Sequence, residues 1–174
     1  MPKHGDPFRR IPFSNIIALF GAYDLTDPNE NNRNSLFPQS TQVHDDWNPD
    51  IKSNYANIAI LTFQAGAITL SSYVQPIFLW NEKTVSTQTE GQVGCWGYSK
   101  FYKKLIHGTP AKLKVPIYTN DHCIATSKYS FSLANNRTFC AGQGGGICMG
   151  DGTLSIKIGS TFYFRGIYSS GFEE

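Results

Sequence analysis

Charge is scarce in this chain and leans to neither sign. Of its 174 residues only 16% are charged, 15 basic against 13 acidic, for a net charge of +2. Such a balance gives no electrostatic footprint for nucleic acid, and the densest basic cluster, Lys100, Lys103 and Lys104, reads as solvated surface. Long apolar runs are missing too. None approaches the roughly 20 residues that cross a bilayer as a helix, so no membrane helix is expected. Disorder is excluded from the other side, because 40% of the residues are hydrophobic and 14% aromatic. Cysteine is limited to Cys95, Cys123, Cys140 and Cys148, with separations of 28, 17 and 8 residues and no C-x-x-C pair. That spacing fits isolated disulfide partners better than a zinc knuckle or a redox motif. The first ten residues carry charges and two prolines but no apolar core, so they are not expected to act as a secretory signal. The start therefore points to the cytosol while the cysteines point to an oxidising compartment. Asn136-Arg137-Thr138 forms one Asn-x-Thr sequon, which makes Asn136 a glycosylation candidate and leans toward secretion.

What the chain has in abundance is short segments rich in Val, Ile, Phe and Tyr, bounded by Gly, Pro, Asn or Asp, which is how strands separated by turns are written. The expected fold is all-β. Strands are expected at Asn15–Phe20, Thr41–His44, Ile58–Phe63, Gln92–Trp96, Ala111–Ile117, Ser155–Ile158 and Phe162–Ile167, several with the alternation of a half-buried sheet. Asp27–Ser40, with asparagine at 29, 31, 32 and 34, reads as an exposed polar loop. One short helix is expected after Thr119 or Asn120, either of which could cap it, running over His122, Cys123 and Ala125. There is no internal repeat and no clear linker.

Two motifs invite chemistry and fail on detail. The glycine-rich stretch from Ala141 to Gly152 has the backbone freedom to cradle an anion, but no Gly-Lys-Ser/Thr follows and the G-x-G-x-x-G spacing is not met, so no nucleotide site is expected. His122, Cys123, Cys140 and Cys148 are four soft ligands, yet adjacent His and Cys rarely serve one tetrahedral ion, and disulfides are the better use of the thiols. Neither cofactor nor metal is expected.

A family emerges from landmarks taken in order. Val115-Pro-Ile-Tyr-Thr-Asn-Asp-His-Cys123, Phe139-Cys-Ala-Gly142, Cys148-Met-Gly-Asp151 and Phe164-Arg-Gly-Ile-Tyr-Ser-Ser170 follow one another like the second barrel of a trypsin-like serine protease. Upstream, Gly21-Ala-Tyr-Asp-Leu25, His44-Asp-Asp-Trp-Asn48, Tyr55-Ala-Asn-Ile-Ala-Ile-Leu61, Tyr73-Val-Gln-Pro-Ile-Phe-Leu-Trp80 and Val93-Gly-Cys-Trp-Gly97 do the same for the first half. From about Ile16 to Gly171 the chain thus resembles the trypsin/chymotrypsin-like serine proteases, with the character of arthropod haemolymph proteases of the gastrulation-defective type. The resemblance implies a double antiparallel β-barrel, here incomplete. Residues 1–14 would be an irregular start, about 16–97 the remnant of the first barrel and crossover, and about 98–171 the remnant of the second.

Active members of that family cleave peptide bonds with a Ser-His-Asp triad, and this chain departs from the pattern at each position. The nucleophile belongs in Gly-Asp-Ser-Gly-Gly, whereas the chain reads Gly150-Asp151-Gly152-Thr153-Leu154, most simply with Ser-Gly deleted. Gly152 has no hydroxyl, and the same deletion should distort the turn whose N–H groups would form an oxyanion hole. The aspartate position in Asp-Ile-Ala-Leu-Leu is Asn57 here. An amide there cannot stabilise an imidazolium, a change worth about 10⁴-fold in the template triad. The Ala-Ala-His-Cys segment would lie upstream of Gly21-Ala-Tyr-Asp, before this chain starts. None of His4, His44, His107 or His122 stands in a matching context, and Ser155 lies three residues past Gly152 inside an expected strand.

The resemblance also implies a Cys123–Cys140 disulfide, worth roughly 3 kcal/mol for a loop of that size in the chain-entropy model. Cys148 loses its family partner, and Cys95, at a position usually glycine, is either a free buried thiol or an opportunistic partner for it. Gly146, two residues before Cys148, would floor a specificity pocket for small or apolar groups. The expectation is an inactive, extracellular serine-protease homologue that binds a protein of a protease cascade. The alternatives are an incomplete piece of an active serine endopeptidase and an unrelated β-rich binding module.

Overall fold

The computed structural model describes residues 11–48, 55–81, 90–96, 98–99, 104–105, 108–126, 135–142, 148–149 and 152–168. Among these, a 3-10 turn at Phe13–Asn15 leads into β1 (Ala18–Phe20), β2 (Asn34–Leu36), β3 (Ser40–Val43), β4 (Ala59–Thr62), β5 (Phe78–Leu79), β6 (Glu90–Cys95), β7 (Tyr98–Ser99) and β8 (Lys104–Leu105). Then come β9 (Ala111–Tyr118), α1 (Asn120–Thr126), β10 (Cys140–Ala141), β11 (Cys148–Met149), β12 (Thr153–Ile158) and β13 (Thr161–Ile167). The fold is all-β, and its one described α-helix starts at Asn120.

The main sheet runs in the order β10-β9-β6-β12-β13-β5. Its pairings are antiparallel except the last, where Phe78 and Leu79 lie parallel to Tyr163 and Phe164. Smaller sheets pair β1 with β2, β3 with β4, and β11-β7-β8. One large curling sheet with separate small sheets is the incomplete double β-barrel that the landmarks imply. β5 and β6, which precede residue 97, join the main sheet with β9, β12 and β13.

Alternation decides the core. In β6 the buried positions are Gly91, Val93 and Cys95; in β12 they are Leu154 and Ile156. Side chains on alternate residues share a face, so antiparallel pairing of these strands stacks their buried sets. Val93, Val115, Leu154 and Ile156 form the centre, with Trp80, Leu113, Ile117, Phe139, Ala141 and Ile158 around it. Gly166 leaves room for this wall, since a Cβ there would stand 2.6 Å from Phe139 Cε1. The Arg165 guanidinium lies over both Phe139 (4.2 Å) and Trp80 (5.7 Å), spending its charge on ring faces at the rim.

Two sequence expectations are corrected. Asn15–Phe20 is not one strand: Asn15 N–H bonds Pro12 O and Ile16 N–H bonds Phe13 O, closing a local turn, and pairing begins at Ala18. Nor is Asp27–Ser40 wholly loop, because Asn34–Leu36 pairs with β1 in the register Ala18↔Leu36 and Phe20↔Asn34.

The loop between β1 and β2 is tied down by its own acids. Glu30 accepts the N–H groups of Tyr23 and Asp24, and Asp24 accepts the hydroxyl (2.7 Å) and N–H (2.9 Å) of Thr26. Leu25 N–H reaches Gly108 O at 2.8 Å, where φ is +76° and an added Cβ would strike the Asp24 carboxylate. A side chain at 108 is therefore excluded twice over. The Thr26 hydroxyl, followed by its N–H, holds the Asp24 carboxyl below the usual carboxylate range. A depressed folded pKa means that this contribution is present above the unfolded value of about 3.9 and lost as pH falls through the lower, folded one. We expect the Thr26 amide resonance to titrate with a midpoint below about 3.9; a midpoint at or above that value would contradict the contact.

Candidate functional site

Gly152 sits at the entrance to β12, half-buried, with its carbonyl accepting Tyr168 N–H at 2.8 Å. A Cβ built on it would lie 3.1 Å from Val93 Cγ1, 3.2 Å from Gly94 O and 3.4 Å from the Cβ of Cys95. The position faces the wall of β6, where an added side chain would need its neighbours to give by a few tenths of an ångström. Ser155, the next serine along, pairs its hydroxyl with Gln92 O at 3.3 Å just past a register shift in β12. Its oxygen is part of the strand pairing. Asp151 and Gly146 lie outside the described residues, as do His4 and His107.

Asn57 is exposed and precedes β4, on the small β3–β4 sheet. It follows Ala56, which is buried with a left-handed φ of 54°. Across the pair, His44 N–H bonds Ile58 O at 3.1 Å, so the backbone brings His44 next to the residue after Asn57. The imidazole is spent elsewhere. Its Nδ1 accepts Asp46 N–H at 3.1 Å, and its Nε2 lies 3.2 Å from Arg137 Nη1. Arg137 is held beside that nitrogen by its other partners as well. These are Asp46, with Nη2 to Oδ2 at 2.6 Å, and Tyr55, whose ring lies 4.5 Å below the guanidinium. The His122 ring stacks on Tyr118 at 4.4 Å.

No sequence pattern marks Arg137 as a linking residue. It links the β3–β4 unit to the turn before Cys140, across 93 positions from His44. A second tether joins Trp96 Nε1 to Tyr23 O at 3.0 Å. With the Arg137 and Asp46 side chains 36% and 50% exposed, the pair is worth about 0.2–1 kcal/mol. Arg137→Lys should lose most of it, because an ammonium cannot both pair with Asp46 and stack on Tyr55. Urea unfolding at low and high salt checks this: the difference from the parent should shrink with salt, and a salt-independent loss would contradict it.

The cysteines are joined. Cys123 and Cys140 form a disulfide, tying α1 to β10. Cys95 is buried and disulfide-bonded, which corrects the free-thiol reading. The backbone of Cys148 pairs with Ser99, and its side chain lies outside the description. Among the described residues no group of three His, Cys, Asp or Glu could hold a metal ion, and no helix is long and apolar enough to cross a membrane. Depressions of about 410 and 320 Å³ are lined by residues 75–78 with 160–162 and by residues 42–45 with Ile58 and Ile60. Neither includes Asn57 or Gly152.

No family model matches the chain. It is similar to serine protease gd of Drosophila melanogaster, 24% identical over 151 residues that cover 77% of this chain and 28% of that protein. It is also similar to coagulation factor XI of Bos taurus, 30% identical over 172 residues, 94% of this chain and 26% of that protein. The chain spans little more than a quarter of the length of the curated relatives it matches.

Proposed function

We propose, since the chain is a distant member of the chymotrypsin-like serine protease family, that it is a non-catalytic relative which acts by binding a protein in an extracellular proteolytic cascade. The observation that carries this reading is Gly152. At the nucleophile's place in the landmark order there is no hydroxyl, and a side chain there would meet Val93 and Gly94 in close contact. Asn57 supports it, because a neutral amide replaces the carboxylate that would steady an imidazolium. The proposal takes the chain as one peptidase-like domain whose halves, about 16–97 and about 98–171, share the main sheet through β5 and β6. Gly146 belongs to whatever remains of the specificity pocket.

The relatives' lengths favour a second reading, in which this sequence is a segment of a longer active endopeptidase. Asn57 and Gly152 stand against it. A longer transcript carrying Ala-Ala-His-Cys would favour the second reading, with Asn57 and Gly152 still to be explained.

The binding role is tested with the oxidised chain immobilised and trypsin-type zymogens passed over it before and after activation. Saturable binding to either form, with a changed rate of zymogen activation, is expected. Absence of both would overturn the cascade role.

A further inference from the structure

The turn that carries Asn136 uses its neighbours as fasteners and leaves Asn136 out. Thr138 N–H bonds Asn135 O at 3.2 Å, closing a turn over residues 135–138. Asn135 N–H bonds the Thr138 hydroxyl at 2.9 Å, that hydroxyl returns to Asn135 O at 3.2 Å, and Arg137 N–H bonds Asn135 Oδ1 at 2.9 Å. Asn120, at the start of α1, donates its carboxamide N–H groups to Asn135 O (2.9 Å) and Thr138 O (3.1 Å). Of two adjacent asparagines, Asn135 is half-buried and fully engaged while Asn136 is exposed at the corner.

We infer that Asn136 is an N-glycosylation acceptor used before this turn closes. The inference rests on the extracellular reading above. An enzyme that reads Asn-x-Thr needs the amide and the hydroxyl two residues later at once. In the folded turn the Thr138 hydroxyl already accepts one bond and donates another within the turn, so the acceptor form is the open chain. Closure of the Cys123–Cys140 loop, which contains the turn, would end that window. In the transfer itself, the carboxamide nitrogen of Asn136 bonds to the anomeric carbon of an oligosaccharide. The bond from that carbon to a lipid-linked pyrophosphate breaks, the lipid pyrophosphate leaves with the electron pair, and one amide proton passes to solvent. The glycan stands beside the Arg137 seam, a bulky solvated group next to the Asp46 and Tyr55 contacts.

The full chain, given a secretory leader in a eukaryotic host, supplies the test, with total product analysed whether secreted or retained. Most of it should carry a glycan removable by a peptide N-glycosidase, which hydrolyses the side-chain amide and converts Asn136 to aspartate on release, and Asn136→Gln and Thr138→Ala should each abolish the mobility shift. Occupancy should persist when a reductant during synthesis keeps Cys123 and Cys140 apart. The oxidised, folded, unmodified chain should not accept sugar from microsomes, whereas its reduced, unfolded form should. Unmodified Asn136 in the total product would overturn the site, and equal modification of folded and unfolded chains would overturn the timing. Because the leader is supplied, failure of the extracellular reading shows separately, as native protein confined to the cytosol.

Discussion

Restoring two of the three family residues is expected to restore no catalysis. Gly152→Ser combined with Asn57→Asp should leave peptide hydrolysis at background, because the new Cβ would be pressed against Val93 Cγ1 and Gly94 O, 3.1 and 3.2 Å away. In an intact triad, loss of the serine or the histidine alone costs about 10⁶-fold, and further losses add little below that floor. On the proposed reading, with glycine at the nucleophile's place, the chain starts at that floor. The nucleophile's approach is lined by the wall of β6, Ser155 is committed to Gln92 O, and His44 is committed to Asp46 N–H and the Arg137 cluster. Catalysis by a positioned hydroxyl needs a nucleophile within hydrogen-bond reach of its base, and the Ser155 hydroxyl and the His44 ring are each paired elsewhere. Hydrolysis of a peptide library by the purified double variant checks this; turnover above the parent's would show that the 152 position still opens on a cleft.

Ile156→Ala should have the largest effect on stability. Ile156 is 1% exposed at the centre of a core whose other buried members are Val93, Val115 and Leu154. Truncating a fully buried isoleucine costs about 2–5 kcal/mol, the lost transfer energy plus the cavity left behind. With a total stability of about 5–15 kcal/mol for a domain, that is a large share. The thermal midpoint should fall by roughly 10 °C, at about 2–4 °C per kcal/mol for a chain this size. Ile60→Ala is the control. That side chain is 62% exposed on β4, and its loss should stay within about 0.5 kcal/mol. Equal shifts for both variants would mean that burial in the β12 wall is not what holds the sheet.

The long strands were legible in the sequence because they hide one face. Val93 and Cys95, Leu154 and Ile156 recur at period 2, and the expected positions of β3, β4, β6, β9, β12 and β13 are met within two residues at each end. Two- and three-residue strands leave no period to read, so β2, β5, β7, β8, β10 and β11 were not anticipated. α1 was, from Thr119 and Asn120: its start is marked by His122 N–H bonding the Thr119 hydroxyl. The Cys123–Cys140 bond followed from the family landmarks and not from spacing. Arg137 could not be anticipated, since its partners His44, Asp46 and Tyr55 are distant in sequence and no local pattern marks a guanidinium that will lie over a ring. The state of Cys95 was equally hidden: alternation places it on the buried face but does not say whether its sulfur is bonded.

The proposal that the unaltered chain is inactive is tested most directly by treating the purified, oxidised protein with a fluorophosphonate and weighing it intact. No adduct is expected after complete labelling of an active trypsin-type control, because neither Gly152 nor Ser155 presents an activated oxygen. A stoichiometric adduct on any serine, abolished by prior unfolding, would contradict the account.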